Sequence, residues 1–347
     1  MAGRIQSDVG NAVVHQTCRC RSHPDVFCQG CRQVLECRHP MKVSHGLPEP
    51  PLSSNPVLTI GNFDGQHVGH RELLATVVQC ARERRGTPMV LTFDPHPVLV
   101  LSPGTTFQFL TSPSEKLAWF EAQGVEHLVV LPFTQEFAAL SPREFVWSIL
   151  KDGLGVKDLF VGEHFVFGKN RAGNTDTLRE LAGQAGFRVH LLKPVSSREA
   201  IVSSTRIRQF VRAGKMEQAM QCLGRPYSLK GTVIEGERRG QGLGYRTANL
   251  RPDKDRVLPP DGVYATKMVW QEAASPAVSY IGTRPTFGEG ERLLEVHVLD
   301  GACELYGQAI EVQFLQYIRG DERFDDSGQL AERIAQDVQQ TRRVFAA

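Results

Sequence analysis

The chain has 347 residues, which is enough for two domains that each bury a hydrophobic core. With 41% hydrophobic and 22% charged residues it has the composition of a soluble globular protein, and no apolar stretch approaches the length of a membrane span. A net charge of +2 gives no indication of nucleic-acid binding, and no secretory signal is visible. We therefore expect a cytoplasmic protein without nucleic-acid or membrane partners.

Residues 1–40 differ from the rest of the chain because they hold five of the eight cysteines. Three interpretations of this leader stay open: a small zinc knuckle, a disordered tail, or translated sequence upstream of a true start at Met41. We favour the second and third, because the cysteine spacing matches no standard pattern of zinc-ligand pairs. The four cysteines that could bind zinc are Cys18, Cys20, Cys28 and Cys31.

Short apolar runs alternate with helical patterns from residue 57 to about residue 200. The runs that predict buried strands are residues 57–60, 89–93, 127–132, 157–162 and 187–192. The helical patterns are residues 72–85, 114–123, 141–150 and 177–185, with Ser114 and Ser141 as expected N-caps. This alternation predicts an α/β domain with a doubly wound, Rossmann-like parallel sheet that binds ligands at the C-terminal ends of its strands.

The loop between the first strand and the first helix carries the strongest motif, Gly-Asn-Phe-Asp-Gly-Gln-His-Val-Gly-His from Gly61 to His70. Glycines at positions 61 and 65 are expected to let the backbone approach a ligand closely. His67 and His70 are three residues apart at the start of a helix, so their rings should share a face. Because a helix N-terminus attracts phosphate, the loop predicts a site for a nucleotide triphosphate.

This pattern resembles the signature of the nucleotidyltransferase superfamily, and it lacks the Gly-Lys-Ser/Thr ending of a P-loop. The alternative is an ordinary strand–helix turn with solvated histidines. Two later segments are expected to reach the same edge of the sheet. Asp94 and His96 lie among prolines after the second strand, and His164 and Phe165 follow a later strand.

A further segment, Ser203-Ser204-Thr205-Arg206-Ile207-Arg208, opens a helical stretch. Its hydroxyl groups, its free N–H groups and Arg208 could clamp a triphosphate, although Ser203 or Ser204 could also serve only as a cap. Each of these segments is weak evidence alone. Together with the loop from Gly61 to His70 they predict an adenylyl-transfer site.

The pattern changes in the last third of the chain. Residues 228–318 are rich in Val, Ile, Tyr and Thr with frequent turn residues, which predicts an all-β barrel or sandwich. Residues 330–345 form an amphipathic pattern that predicts a closing helix. The expected organisation is a leader at 1–40, an α/β domain at 41–203, a helical connector at 204–224 and a β-barrel domain at 225–347. The second domain also contains glycines that could cradle phosphates: Gly231, Gly236, Gly242 and Gly244.

The order of these motifs resembles one family throughout, the prokaryotic bifunctional riboflavin kinase/FMN adenylyltransferases, also called FAD synthetases. The resemblance implies that the barrel phosphorylates riboflavin to FMN, and that the α/β domain adenylylates FMN to FAD, with ATP and Mg²⁺ at both sites. The small-molecule partners would be riboflavin, FMN and ATP. The resemblance assigns ATP contacts in the first domain to Gly61, Phe63, Asp64, His67, His70, Ser203, Ser204, Thr205 and Arg208, and flavin contacts to Asn62, Asp94, His96, His164 and Phe165.

In the barrel, Thr247-Ala248-Asn249 resembles the family element whose Thr and Asn oxygens hold Mg²⁺. Thr247 also joins the glycines as an expected ATP contact. Glu295 matches the expected general base for the riboflavin hydroxyl, and as a strand residue it should face away from Leu294 and Val296. On spacing alone, a solvated strand glutamate would be the better interpretation. Arg319 resembles a family arginine near the active site.

Three positions depart from the family pattern. Arg246 stands where proline is usual, Gln241 where arginine is usual, and His164 where Asp or Asn is usual. The first two keep a monofunctional FMN adenylyltransferase with a degraded kinase barrel as an alternative. The alternative that is not an enzyme is a non-catalytic sensor that binds flavin or nucleotide.

Overall fold

The computed structural model describes residues 40–49, 54–197, 200–234, 247–271, 273–283, 292–299 and 305–346. The interpretations of the cysteine leader lie outside these residues, as do those of Gly236, Gly242, Gly244, Gln241 and Arg246. The described residues all belong to a single packed unit.

A six-stranded sheet forms the centre of the first half, with strands β1 (Lys42–His45), β2 (Pro56–Ile60), β3 (Thr87–Asp94), β4 (His127–Pro132), β5 (Asp158–Gly162) and β6 (Arg188–Leu192). Their order is β1-β4-β3-β2-β5-β6, and every neighbouring pair is parallel. After β4 the chain crosses to the other side of β2, so the topological switch point lies between β2 and β5. The C-terminal ends of those two strands are where such a sheet binds ligands.

Helices cover both faces of this sheet: α1 (Val68–Glu83), α2 (Pro97–Leu101), α3 (Pro113–Ala122), α4 (Gln135–Ala138), α5 (Pro142–Glu144) and α6 (Thr175–Ala185). Adjacent residues of β2 point to opposite faces, as the pleat of a strand requires. Val57 packs with Val77 of α1, while Leu58 packs in a cluster with Leu150 and Leu178. The expected doubly wound architecture is therefore confirmed.

Two expectations about the helices need correction. The N-cap of α3 is Ser112 rather than Ser114, because Ser112 accepts from the Glu115 N–H and the Glu115 carboxylate accepts from the Ser112 N–H. Ser141 does cap α5, but the chain continues from there as a π-helix over Phe145–Gly153. A run of nine residues in this wider helix could not be recognised from apolar spacing.

The segment expected as one helical connector consists of two helices, α7 (Ser204–Arg212) and α8 (Met216–Leu223), preceded by the small hairpin of β7 (Ser196–Ser197) and β8 (Ala200–Ile201). The break lies at Gly214, whose φ of +71° is in the left-handed region that glycine tolerates. Both helices pack on the core of the second half. Ile207 and Met216 belong to the same buried cluster as Tyr227 and Phe314.

The second half is a closed barrel, which decides between the barrel and sandwich alternatives. Its strands are β9 (Tyr227–Ile234), β10 (Ala248–Leu250), β11 (Gly262–Trp270), β12 (Ala273–Thr283), β13 (Arg292–Val298) and β14 (Ala309–Arg319), in the order β10-β13-β12-β11-β14-β9. Every neighbouring pair is antiparallel. The expected closing helix is present as α9 (Ser327–Ala346).

An ion pair fastens α9 to the barrel. The Arg319 guanidinium donates to both oxygens of the Asp337 carboxylate, at 2.8 to 3.1 Å, and Asp337 is 2% exposed. Arg319 therefore has a structural contact whether or not it also lies near a ligand. No helix in the described part of the chain is both long enough and apolar enough to cross a membrane.

Candidate active sites

The two histidines of the first motif stack on each other at the N-terminus of α1. Their ring centroids are 3.5 Å apart with an interplanar angle of 18°, which agrees with the shared face expected from their spacing. His67 is the N-cap, and its Nδ1 accepts a hydrogen bond of 3.3 Å from the His70 N–H. A Cβ at Gly69 would lie 3.3 Å from that same Nδ1. The last glycine of the motif thus leaves room for the His67 ring.

Burial keeps both imidazoles uncharged. It lowers the pKa of His67 to about 4, although the nearby Asp64 carboxylate opposes the shift. The pKa of His70 is also well below its usual range, because of burial first and the neighbouring His67 second. Since Nδ1 of His67 accepts, its proton is on Nε2, which can donate to a ligand. Nδ1 of His70 is buried without a hydrogen-bond partner among the described residues.

The Asp64 carboxylate is occupied by protein donors. It accepts hydrogen bonds of 3.0 to 3.1 Å from the N–H groups of Leu110 and Thr111 and from the Thr111 hydroxyl, and it forms an ion pair with Arg208. Asp64 is only 5% exposed. This arrangement makes Asp64 a residue that positions the loop, and its direct contact with ATP stays a prediction.

The glycines and Phe63 of the motif also serve internal packing. A Cβ at Gly65, where φ is +84°, would lie 2.7 Å from Cδ1 of Leu110, and one at Gly61 would lie 3.0 Å from the Phe63 ring. Phe63 itself is 1% exposed and packs edge-on against Phe120, with ring centroids 5.2 Å apart. These contacts give the two glycines a role in internal packing and make the Phe63 side chain a core group, while the expectation that the backbone at the glycines approaches a ligand stays a prediction.

The N-terminus of α7 meets the same loop from the other side. The Ser204 hydroxyl donates 2.7 Å to the Asp64 carbonyl oxygen, and Ser203 caps the helix by accepting from the Arg206 N–H. Arg208 donates to the Gln108 carbonyl oxygen at 2.9 Å in addition to its ion pair. Thr205 is exposed at this helix end. The structure therefore brings the segment from 203 to 208 against the histidine loop, although the two are about 140 residues apart.

The residues expected to contact flavin lie at the same edge of the sheet, beyond the ends of β2, β3 and β5: Asn62, Asp94, His96, His164 and Phe165. Asp94 and His164 are exposed, and Phe165 stacks on Phe167 with centroids 5.7 Å apart. His96 stacks on Phe107 at 4.4 Å, and the Arg208 guanidinium also lies 4.4 Å from that ring. Burial lowers the pKa of His96 to about 4.

Residues of the barrel half also reach the loop. Arg225 donates to the Gly65 carbonyl oxygen at 3.2 Å and to the Gln66 side chain at 3.1 Å. Arg256 forms a 2.6 Å ion pair with Glu115 of α3, in which the two side chains are 6% and 13% exposed. Arg256 also donates to the Leu110 carbonyl oxygen at 2.8 Å. The second half of the chain thus supports the site of the first.

The candidate kinase residues face one another in the barrel. In the pairing of β10 with β13, Asn249 is directly opposite Glu295, and in the pairing of β12 with β13, Tyr280 is opposite Glu295. Directly opposed side chains project from the same face of a sheet about 5 Å apart. Leu294 and Val296, at 0% and 1% exposure, point to the core, so Glu295 faces the other way as expected.

Thr247 immediately precedes β10 and is exposed, two residues from Asn249, so the two share a strand face. Gly231 lies on β9, where a Cβ would lie 3.3 Å from Cδ2 of Leu250. Close packing of β9 on β10 is therefore one reason for glycine at this position.

Comparison with known proteins assigns both halves. Residues 49–206 match the family model described as FAD synthetase, and residues 223–345 match the one described as riboflavin kinase. The chain is 36% identical to the bifunctional riboflavin kinase/FMN adenylyltransferase of Escherichia coli strain K12, over 87% of this chain and 96% of that protein. It belongs to the bifunctional riboflavin kinase/FMN adenylyltransferase family. Family members of the same name from Bacillus subtilis strain 168 and Pseudomonas fluorescens are 35% and 38% identical, over 84% of this chain and 92% and 93% of theirs.

The family fold also occurs in a crystal structure from Streptococcus pneumoniae, of a protein called a macrolide-efflux protein. The two chains superpose with a TM-score of 0.79 at 29% identity, over 87% of this chain and 99% of that one. The similarity therefore extends to the arrangement of both halves as well as to each half alone.

Several residues at the first site gave no signal in the sequence. Lys116 follows the capping glutamate of α3 and appeared to be an ordinary helical lysine, yet its Nζ donates to the Asn62 carbonyl oxygen at 3.4 Å. Arg225 and Arg256 lie outside every family motif quoted above. A search for charged residues near the connector would have found Arg225, but nothing local distinguishes Arg256 from a surface arginine.

Proposed function

We propose that this chain makes FAD from riboflavin in two ATP-dependent steps. The barrel half transfers the γ-phosphoryl group of ATP to riboflavin, and the α/β half transfers the AMP group of a second ATP to FMN and releases pyrophosphate. The observation that carries the proposal is that the chain has two separate groups of candidate residues, each within the half that matches the corresponding family model. One is the stacked His67–His70 pair, and the other is the Asn249–Glu295 pair.

In adenylyl transfer, an oxygen of the FMN phosphate forms a bond to the α-phosphorus of ATP. The bond from that phosphorus to the oxygen bridging to the β-phosphate breaks, and its electron pair leaves with pyrophosphate. This chemistry needs positioning and stabilisation of the charge that develops on the leaving group. Nε2–H of His67, His70 and the N-terminus of α1 would hold the β- and γ-phosphates. Ser204 and Arg208 would form one side of the site.

In the kinase reaction, Glu295 would accept the proton of the ribityl 5′-hydroxyl group of riboflavin as the hydroxyl oxygen attacks the γ-phosphorus. The bond from that phosphorus to the oxygen bridging to the β-phosphate would break, and its electron pair would leave with ADP. The Thr247 hydroxyl and the Asn249 amide oxygen are hard oxygen donors on one strand face, and such donors suit Mg²⁺. When bound there, Mg²⁺ would neutralise charge on the ATP phosphates. The place of Asn249 opposite Glu295 supports this assignment because it brings the proposed metal ligand beside the proposed base.

We also propose that the protein works in the cytoplasm. Cys80 and Cys222 are free thiols, which are typical of a reducing compartment. Cell fractionation should recover the FMN-adenylylating activity with the cytoplasmic proteins. Recovery of that activity from the secreted fraction would contradict this location.

The test is to incubate the purified protein with riboflavin, ATP and Mg²⁺ and to separate FMN and FAD by chromatography. We expect both products. His70→Ala should lower FMN-to-FAD conversion by about 100-fold and spare riboflavin phosphorylation, because it removes a phosphate donor from one site only. Glu295→Ala should lower riboflavin phosphorylation by about 100-fold or more and spare FMN adenylylation.

Each alternative gives a different result in this assay. A degraded kinase barrel would convert added FMN but not riboflavin, and a sensor would show ligand-dependent thermal shifts without turnover. Equal loss of both activities in His70→Ala would contradict the assignment of two separate sites.

A further inference from the structure

One half-buried lysine near the proposed adenylylation site has no ion-pair partner among the described residues. Lys116 is the fourth residue of α3, and its side chain reaches back toward the turn after β2, where Nζ donates to the Asn62 carbonyl oxygen at 3.4 Å. Among the described residues, no carboxylate lies within ion-pair distance of this ammonium group. Lys116 is half-buried, and a lysine charge that is partly withdrawn from water usually has a partner. The pairing of Lys116 is therefore incomplete.

The surrounding carboxylates explain why Lys116 stays unpaired. Asp64 and Asp94 attract its charge from a distance, but Asp64 is already bound by Arg208 and by the Leu110 and Thr111 N–H groups. The preceding residue, Glu115, turns the other way to cap α3 and to pair with Arg256. The capping and ion-pair contacts of Glu115 fix the first turn of α3, and so they fix the direction in which Lys116 projects.

Lys116 interacts both with the histidine loop and with the proposed flavin contacts. Asn62, to whose carbonyl oxygen it donates, is a proposed flavin contact and lies in the same loop as the stacked histidines. Its charge also acts on Asp94 and on His96, which belong to the proposed flavin contacts. In the adenylyl transfer proposed above, the groups that meet between ATP and FMN are the α-phosphate of the nucleotide and the phosphate of the flavin.

We propose that Lys116 is a catalytic residue of FMN adenylylation, whose Nζ contacts the FMN phosphate and the α-phosphate of ATP where they react. The inference rests on the proposed function of the α/β half. The two phosphates repel each other as they approach, and an ammonium group between them reduces that repulsion. Lys116 transfers no proton in this step. The new bond joins an FMN phosphate oxygen to the α-phosphorus, and the electron pair of the broken bond leaves on pyrophosphate.

The electrostatics around Lys116 agree with this role. Burial lowers the pKa of Lys116 below its usual range, while Asp64 and Asp94 oppose the shift. Two phosphates arriving beside Nζ would raise that pKa again, so the substrates themselves favour the charged lysine that the step needs.

The experiment measures the two activities of the full-length chain in three variants. Lys116→Met keeps the length of the side chain and removes its charge, and Lys116→Arg keeps the charge with a different shape. Lys157→Met is the matched control, because Lys157 is exposed and directly precedes β5, at the opposite edge of the sheet. We expect Lys116→Met to lower kcat for FMN adenylylation by about 100-fold. Riboflavin phosphorylation and Tm should stay at wild-type values, as should both activities of Lys157→Met.

The outcomes separate this inference from the function on which it rests. Partial recovery of FMN adenylylation in Lys116→Arg supports a contact through charge. Wild-type adenylylation by Lys116→Met overturns the inference, and so does an equal fall of both activities with a lower Tm, which would make Lys116 a structural residue. If the wild-type protein itself fails to convert FMN and ATP to FAD, the proposed function fails instead.

Discussion

The two candidate sites of this chain are built in opposite ways. The histidine loop of the α/β half is held by contacts from residues 110–111, from α7, from α3 and from Arg225 of the second half. The Asn249–Glu295 pair of the barrel is held by strand register, between neighbours in one antiparallel ladder. The first site therefore depends on tertiary contacts across more than 100 residues of sequence, whereas the second depends on whether β10 and β13 pair correctly.

This difference indicates which substitutions should affect each reaction. A change far from the histidines can disturb FMN adenylylation, because the groups that hold the loop come from several parts of the chain. Riboflavin phosphorylation should be less sensitive to such changes, as long as the barrel closes. We therefore expect substitutions around the histidine loop to have the largest effects.

The largest effect is expected for Asp64→Ala. The substitution leaves the buried Arg208 guanidinium without its carboxylate and removes the acceptor of the Leu110 and Thr111 N–H groups. Breaking one side of a buried ion pair costs about 3–5 kcal/mol, so we expect the free energy of unfolding in urea to fall by that amount. At a temperature where the variant stays folded, FMN adenylylation should fall by about 100-fold, because the loop loses its geometry.

Asp176→Ala is the control, because the Asp176 side chain is 86% exposed on α6 and its ion pair with Arg179 is a surface contact. Its stability should stay within about 0.5 kcal/mol of the wild type. If Asp64→Ala were as stable as this control, Asp64 would not be the residue that holds the loop. The direct ATP contact suggested by the sequence would then be the better interpretation of Asp64.

A smaller effect is expected for Arg256→Met, which tests the contact between the halves. The change removes the ion pair with Glu115 and the hydrogen bond to the Leu110 carbonyl oxygen, which should cost about 3 kcal/mol of stability. We expect FMN adenylylation to fall by about tenfold, because α3 and residues 110–111 support the loop. Riboflavin phosphorylation should change by less than about twofold, although Arg256 belongs to the barrel half.

Lys230→Met is the control for Arg256→Met, because it also removes a charged side chain of the barrel. Lys230 pairs with Glu311, but the two side chains are 54% and 24% exposed, so the pair should contribute less than about 1 kcal/mol. Neither activity should change in this control. A drop in riboflavin phosphorylation larger than the drop in FMN adenylylation in Arg256→Met would reverse our interpretation of the contact.

The smallest effect concerns acid stability. Burial lowers the pKa of His67 and of His96 to about 4, while an unfolded histidine titrates near its usual value of 6.5. Between these values the unfolded chain binds protons that the folded chain does not, so stability should fall as the pH is lowered from about 6.5 to about 4. We expect Tm to drop across this range and the drop to be smaller by a few degrees in His96→Gln.

The exposed His45 of β1 supplies the matched variant, His45→Gln. Thermal unfolding of the three proteins at several pH values between 4 and 7 measures the difference. The same pH dependence in wild type and His96→Gln would mean that burial of His96 does not disfavour its charged form.

The regular elements were largely predictable from sequence because their apolar runs are buried. The strand predicted at residues 127–132 is β4 with the same bounds, and its residues lie in the middle of a sheet covered on both faces. The edge strand β1 (Lys42–His45) was missed, because its residues are mostly exposed and it forms only by pairing with β4. Edge strands of this kind have no apolar pattern of their own.

The candidate sites were predictable to the extent that their residues lie in local motifs. The stacked histidines follow from a spacing of three residues, and the outward direction of Glu295 follows from strand alternation. Glu115 and Arg256 are 141 positions apart in the sequence. Their ion pair could therefore not be predicted from the residues that flank either one. The different roles of Glu115 and Lys116, adjacent on one helix, also depend on what surrounds each side chain.

The short segment from Phe107 to Thr111 has a consequence for exchanging domains between relatives. Its main chain binds the Asp64 carboxylate on one side, and on the other Phe109 donates to the Asp255 carbonyl oxygen and accepts from the Val257 N–H. The contact between the halves therefore includes Phe109, next to Gln108, whose carbonyl oxygen accepts from Arg208 of α7. A transplanted barrel can reproduce the main-chain contacts with almost any sequence, but it must bring counterparts of Arg225 and Arg256. These two arginines are thus the criterion for choosing a compatible donor.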